Sequence, residues 1–195
     1  MLLAGGASSR MGRDKALLPV GDGRVLWQRQ LEVLERLDPG CLFISGPARA
    51  GFAPELRILR DSSPGLGPLS GLVEGLRVTE ADLLVVLAVD LPAMTSDYLA
   101  SLLENCLPGR GCVARLGPWF EPLAAVYPKK ALPLAEEALA SEDRSLQTLA
   151  RRLLDRKMIS VKEVDQPSED LFLNWNSGVL PTPGPENGWK DFPMC

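Results

Sequence analysis

The sequence predicts an α/β protein with a mostly parallel sheet flanked by helices, and three observations predict it. Short apolar runs alternate with helical stretches of about ten to fifteen residues, the pattern of βαβ units. Leu83–Val89 is a continuous apolar run of the kind buried on both faces of a parallel sheet. Hydrophobic residues make up 46% of 195, enough for a substantial core without disulfide or metal staples.

Taken in order, the elements begin with Leu2-Leu3-Ala4, a strand either very short or clipped at its start, running straight into Gly5-Gly6. A strand this close to a chain end is expected to fray and loosen whatever site it carries. Apolar positions 26, 27, 31, 33, 34 and 37 follow helical spacing, so a helix is expected over 26–37. Short buried strands follow at Cys41–Ile44 and Leu56–Leu59, and 61–68 is a loop by composition. A helix over 69–78 leads to the 83–89 strand, which ends in Asp90-Leu91-Pro92. Ser96 is the expected cap of a helix reaching about Asn105.

The second half is less regular. Strands are expected at Cys112–Arg115 and Leu123–Tyr127, with Glu121-Pro122 read as a turn ahead of the latter. Helices are expected at 132–140 and 145–154, and a late strand at 159–164. Asn174 and Asn176 alternate along a strand-like stretch and so would share one face. Residues 1–180 are expected to form one domain, with 181–195 a Pro/Gly-rich tail.

Composition removes several kinds of chemistry. A net charge of −4 argues against general nucleic-acid binding. The absence of histidine removes Ser-His and Cys-His nucleophile pairs, imidazole bases and most zinc sites. Cys41, Cys106, Cys112 and Cys195 show no CxxC spacing and read as structural thiols of a reducing compartment. No leader pattern or membrane-length apolar run is visible, so a cytoplasmic location without membrane attachment is the expectation. The charge is unevenly spread: residues 1–60 hold nine basic and six acidic side chains, whereas the rest is net acidic. A small anionic ligand near the N-terminal part fits that asymmetry.

The densest signal is Leu3-Ala4-Gly5-Gly6-Ala7-Ser8-Ser9-Arg10-Met11-Gly12-Arg13-Asp14-Lys15, a strand followed by a glycine-rich loop with three cations. Small residues let backbone N–H groups approach phosphate oxygens, and the cations neutralise their charge. The spacing is neither a Walker A loop nor GxGxxG. Asp90 follows the most apolar strand, where open α/β sheets bind ligands. It suits Mg²⁺, which takes one or two carboxylates, and a turn or cap role is the alternative. Gly65-Leu66-Gly67 follows a polar stretch, not a strand, so it reads as a plain turn or a loop approaching a ligand.

The stretch LAGGxSxRMGxDKxLL resembles the signature of the molybdenum cofactor guanylyltransferases, the MobA family of nucleotidylyltransferases. Arg60-Asp61-Ser62 with Gly67-Pro68-Leu69-Ser70-Gly71-Leu72 resembles that family's second block. Val89-Asp90-Leu91-Pro92 resembles its metal block, and Asn174-Trp175-Asn176 its late asparagine pair. The resemblance implies a Rossmann-like nucleotidyltransferase fold and Mg²⁺-dependent transfer of GMP from GTP to molybdopterin. It implies transient contact with molybdoenzymes as well. Its N-terminal half would bind the nucleotide and its C-terminal half the acceptor.

Carried over, Arg10, Lys15 and Asp90 would be catalytic, Asp90 would hold the metal, and Arg13 would be a weaker phosphate contact. Leu3, Ala4, Gly5, Gly6, Ser45, Asp61, Asn174 and Asn176 would bind nucleotide or pterin. Ser45 stands where the family often has asparagine, a shorter reach toward the base. Glu121-Pro122-Leu123 and Tyr127 sit in the expected acceptor half. Cytidylyl transfer, nucleotidyl transfer to a sugar phosphate, and a non-catalytic cofactor-delivery role are the alternatives.

Overall fold

The computed structural model describes residues 1–5, 14–20, 23–47, 56–60 and 65–175. Within them the strands are β1 (Leu2–Leu3), β2 (Phe43–Ser45), β3 (Arg57–Leu59), β4 (Leu83–Ala88), β5 (Gly111–Leu116), β6 (Trp119–Pro128) and β7 (Ile159–Glu163). The helices are α1 (Leu26–Glu35), α2 (Pro68–Val78), α3 (Ser96–Glu104), α4 (Leu132–Ala140) and α5 (Leu146–Asp155). The strands form one sheet in the order β3-β2-β1-β4-β6-β5-β7. Pairings are parallel except that β6 runs against both β4 and β5.

Successive strand residues face opposite layers, and the core divides accordingly. Leu2, Ile44, Leu87, Cys112 and Ala124 pack with α1 and α3. Leu3, Phe43, Val86, Val113 and Ala125 pack with α2, α4 and α5. The sheet is therefore covered on both faces, as its apolar strands require. No described helix is long and apolar enough to cross a membrane.

The first strand is short but not frayed. Met1, Leu2 and Leu3 are buried. The Met1 carbonyl accepts the Leu87 N–H (3.1 Å), the Leu3 carbonyl accepts the Val89 N–H (2.9 Å), and the Ala4 N–H donates to Ser45 (2.8 Å). Hydrogen bonds to strands on both sides hold it in place.

Four other expectations change. β3 is an edge strand and not a buried one, with Arg57 exposed and Ile58 and Leu59 only half-buried. The second strand starts at Phe43, because Cys41 is already exposed. Thr95, not Ser96, caps α3: its hydroxyl accepts the Tyr98 N–H at 3.2 Å. Glu121-Pro122 lies inside β6 and not in a turn before it. The real turn is Gly117-Pro118, where a φ of +56° at Gly117 supplies the left-handed first position of a tight hairpin. A connection that short forces β5 and β6 antiparallel. Pro122, lacking an N–H, sits where the β5–β6 register jumps from Val113↔Ala125 to Ala114↔Glu121. The fully buried Tyr127 hydroxyl donates to the Pro122 carbonyl across this irregularity (2.8 Å).

Two substitutions test these supports. Tyr127→Phe leaves the Pro122 carbonyl without that donor and should cost about 1–3 kcal/mol in urea unfolding. Gly46 has φ +145°, and a Cβ there would lie 2.8 Å from the Gly5 nitrogen and 2.9 Å from the Ala4 carbonyl carbon. Gly46→Ala should therefore cost roughly 2 kcal/mol or more by parting the ends of β1 and β2.

Candidate active site

The register of the central strands places their C-terminal ends side by side. Leu3 lies opposite Ser45 on one side and Ala88 on the other. Leu3, Ala4, Gly5, Ser45 and the turn containing Asp90 thus meet at one edge of the sheet, where open α/β sheets receive ligands. Gly5 and Gly46 bring two backbones together there, since a Cβ on Gly5 would lie 3.5 Å from the Gly46 Cα. The Ser45 side chain is buried under α2: a Cβ on Gly71 would lie 2.6 Å from its hydroxyl oxygen. Glycine at 71 is what lets α2 sit down on the ends of β1 and β2.

Lys15 follows the glycine-rich segment in sequence. It opens a short 3-10 turn, Lys15–Leu17, whose cap is Asp14: the carboxylate accepts the Ala16 N–H at 3.1 Å. From that turn the Lys15 ammonium reaches to 3.8 Å from the Asp90 carboxylate. Their side chains are 20% and 26% exposed, so both are open to a ligand. The separation is an ion pair but too long for a hydrogen bond. A cation suited to phosphate oxygens and a carboxylate suited to a hard metal therefore lie side by side.

The donor set fits Mg²⁺ and not a closed protein cage. Among the described residues no three His, Cys, Asp or Glu side chains are grouped to hold a metal. Asp90 is a single carboxylate, and Mg²⁺ commonly takes one or two, with waters and substrate phosphates filling its other positions. Asp90 does not cap α3, because Thr95 does.

The Asp90 turn is tied down by backbone contacts that reading the sequence missed. On α1, the buried Gln30 amide donates to the carbonyls of Leu91 (2.6 Å) and Ala88 (3.4 Å). Its neighbour Arg29 donates from Nε to the Pro92 carbonyl (2.8 Å). The Trp175 N–H donates to the Asp90 carbonyl at 2.9 Å, which carries Asn174 past the site. A signal for Gln30 existed: it stands four residues after Leu26 and four before Leu34, inside the apolar stripe.

Not every expected residue is placed. Gly6, Arg10, Arg13, Asp61 and Asn176 lie outside the described residues, as does 181–195. Asn174 is described, but it follows a 3-10 turn, Gln166–Phe172, and lies in no strand, so the shared-face expectation loses its basis. Glu121 is half-buried near the start of β6, and burial raises its carboxyl above the usual range. Burial raises the Cys112 thiol and pushes that of Cys106 up to about 11, which keeps both protonated and unreactive at neutral pH.

Known proteins resemble this chain in sequence and in fold. A family model described as the MobA-like NTP transferase domain matches residues 1–158. A protein of Opitutus terrae named probable molybdenum cofactor guanylyltransferase is 36% identical over 181 residues, covering 90% of this chain and 88% of that one. A Pseudomonas putida protein named molybdenum cofactor guanylyltransferase is 34% identical over 181 residues, covering 91% and 92%. The fold is also that of molybdopterin-guanine dinucleotide biosynthesis protein A from Archaeoglobus fulgidus, with a TM-score of 0.69 at 22% identity over 90% of this chain and 91% of that one. The chain is a nucleotidyltransferase and belongs to the MobA-like NTP transferase domain family.

Proposed function

We propose that this enzyme transfers GMP from GTP to molybdopterin, forming the guanine dinucleotide cofactor and releasing pyrophosphate. The observation that carries the reading is the Lys15–Asp90 pair, 3.8 Å apart at the sheet edge beside Ala4-Gly5. The names of the relatives over nine-tenths of the chain support the choice of substrates. The N-terminal half is assigned to the nucleotide and the C-terminal half to the acceptor.

In this reading the terminal phosphate of the acceptor attacks the α-phosphorus of GTP in line. A new P–O bond forms there, the bond to the β-phosphate breaks, and its electron pair leaves with pyrophosphate. A phosphate nucleophile is already anionic near neutral pH, so no general base is required. A chain without histidine is consistent with that. The protein's contribution is orientation and charge neutralisation. Lys15 and Arg10 bind the triphosphate, with Arg13 in support, and the Leu3–Gly6 backbone approaches base and ribose. Ser45 and Asp61 contact the nucleoside, and Asn174 and Asn176 the pterin. Mg²⁺ held by Asp90 would supply a Lewis acid and a template for the phosphates.

Lys15→Ala and Asp90→Ala should each lower kcat/KM by at least about a hundredfold while the protein melts as a folded species. Near-normal turnover in either variant would sink the assignment. In a pyrophosphate-release assay with molybdopterin and Mg²⁺, GTP should be consumed and an equal concentration of CTP should leave the rate unchanged. Equal turnover of CTP would make the enzyme a cytidylyltransferase or an unselective one.

A further inference from the structure

We infer that Gln30, with Arg29 beside it, is a positioning residue for Asp90, fixing where the carboxylate meets a metal–nucleotide complex. The inference rests on the proposed role of Asp90 and adds residues on α1 to the site. The Gln30 amide bridges two carbonyls on either side of Asp90, those of Ala88 and Leu91, and Arg29 holds the next one, that of Pro92. Three carbonyls within five residues are thus tied to adjacent side chains of one helix. From the turn they hold, the Asp90 carboxylate reaches to 3.8 Å from the Lys15 ammonium.

Fold stability alone explains Gln30 poorly. The residue is 0% exposed in an apolar layer with Leu26, Trp27, Leu31 and Leu34. Its Oε1 is buried with no hydrogen-bond partner, an arrangement that costs stability. The Leu91 carbonyl also accepts the Met94 N–H at 3.1 Å, so it would stay paired if the Gln30 amide were lost. A leucine or methionine of similar size would remove the orphan acceptor and keep the layer filled. What it could not do is tie the strand end at Ala88 to the turn at Leu91. That tie matters to the placement of the carboxylate between them, because partners that orient a metal ligand commonly change metal affinity ten- to a hundredfold.

The test compares binding of Mn²⁺·GTP with binding of GTP in EDTA, both by titration calorimetry on the full chain. The ratio of the two dissociation constants reads what the metal contributes, without turnover. For Gln30→Leu and Gln30→Met we expect that ratio to fall about tenfold. GTP binding in EDTA should stay within about twofold, and the melting temperature within about 5 °C of wild type. Arg29→Lys, which keeps a donor and a charge, should fall less than Arg29→Met. Asp90→Asn is the reference and should abolish the metal contribution. If Asp90→Asn abolishes it while a folded glutamine variant keeps the wild-type ratio, the inference on Gln30 is overturned and the reading of Asp90 stands. If Asp90→Asn keeps the wild-type ratio, the role given to Asp90 falls, and the role of Gln30 with it. Failure of both glutamine variants to fold would also overturn the inference, by making Gln30 a residue of core stability.

Discussion

Everything at the candidate site depends on a two-residue strand paired on both sides. β1 has no length of its own to hold it, yet it sits between β2 and β4 in the middle of the sheet. Its peptide groups are satisfied by those neighbours, and its side chains go alternately to the two core layers. The ends of β2 and β4 are brought level only because both are in register with Leu3. Remove that pairing and Ala4-Gly5, Ser45 and Asp90 have no common reference.

From this constraint the rest of the site follows as a set of close approaches. Glycine is needed at 46 because the backbone turns back against Gly5, and at 71 it brings α2 close onto the Ser45 and Leu3 side chains. Asp14, which on charge alone offsets its cationic neighbours, spends its carboxylate on capping the turn that presents Lys15. The Asp90 turn is then bound by side chains of α1 on its flanks and by the Trp175 N–H at Asp90 itself. Phosphate chemistry asks for fixed charges more than for reactive groups, and fixed charges need a stiff frame.

Much of this was legible in the residues. The alternation of apolar runs and helical spacing is a local signal, so α1, α2, α4 and α5 fall within a few residues of their expected positions. The carboxylate after the most apolar strand was legible for the same reason. What was hidden depends on distant partners. The reversal of β6 is set by a two-residue hairpin turn, and its length by the neighbours that extend it through Glu121-Pro122. Thr95 and Ser96 are both competent caps, and only the backbone conformation chooses between them. Gln30 interrupts an apolar stripe, but the carbonyls it serves lie about sixty residues away in sequence.

The pairing of β1 also has a consequence for the order in which the molecule is made. Its partners are Ile44 on one side and Leu87 on the other, and the peptide that closes over Asp90 is that of Trp175. β1–β3 can pair without β4, but until β4 joins them no carboxylate stands opposite Lys15. Such non-local parallel pairing is slow to form, because the intervening loops must close first. The segment at Ala4-Gly5 is thus completed only after strands far along the chain have paired beside it. The meeting of Lys15 with Asp90 therefore waits on closure of the sheet.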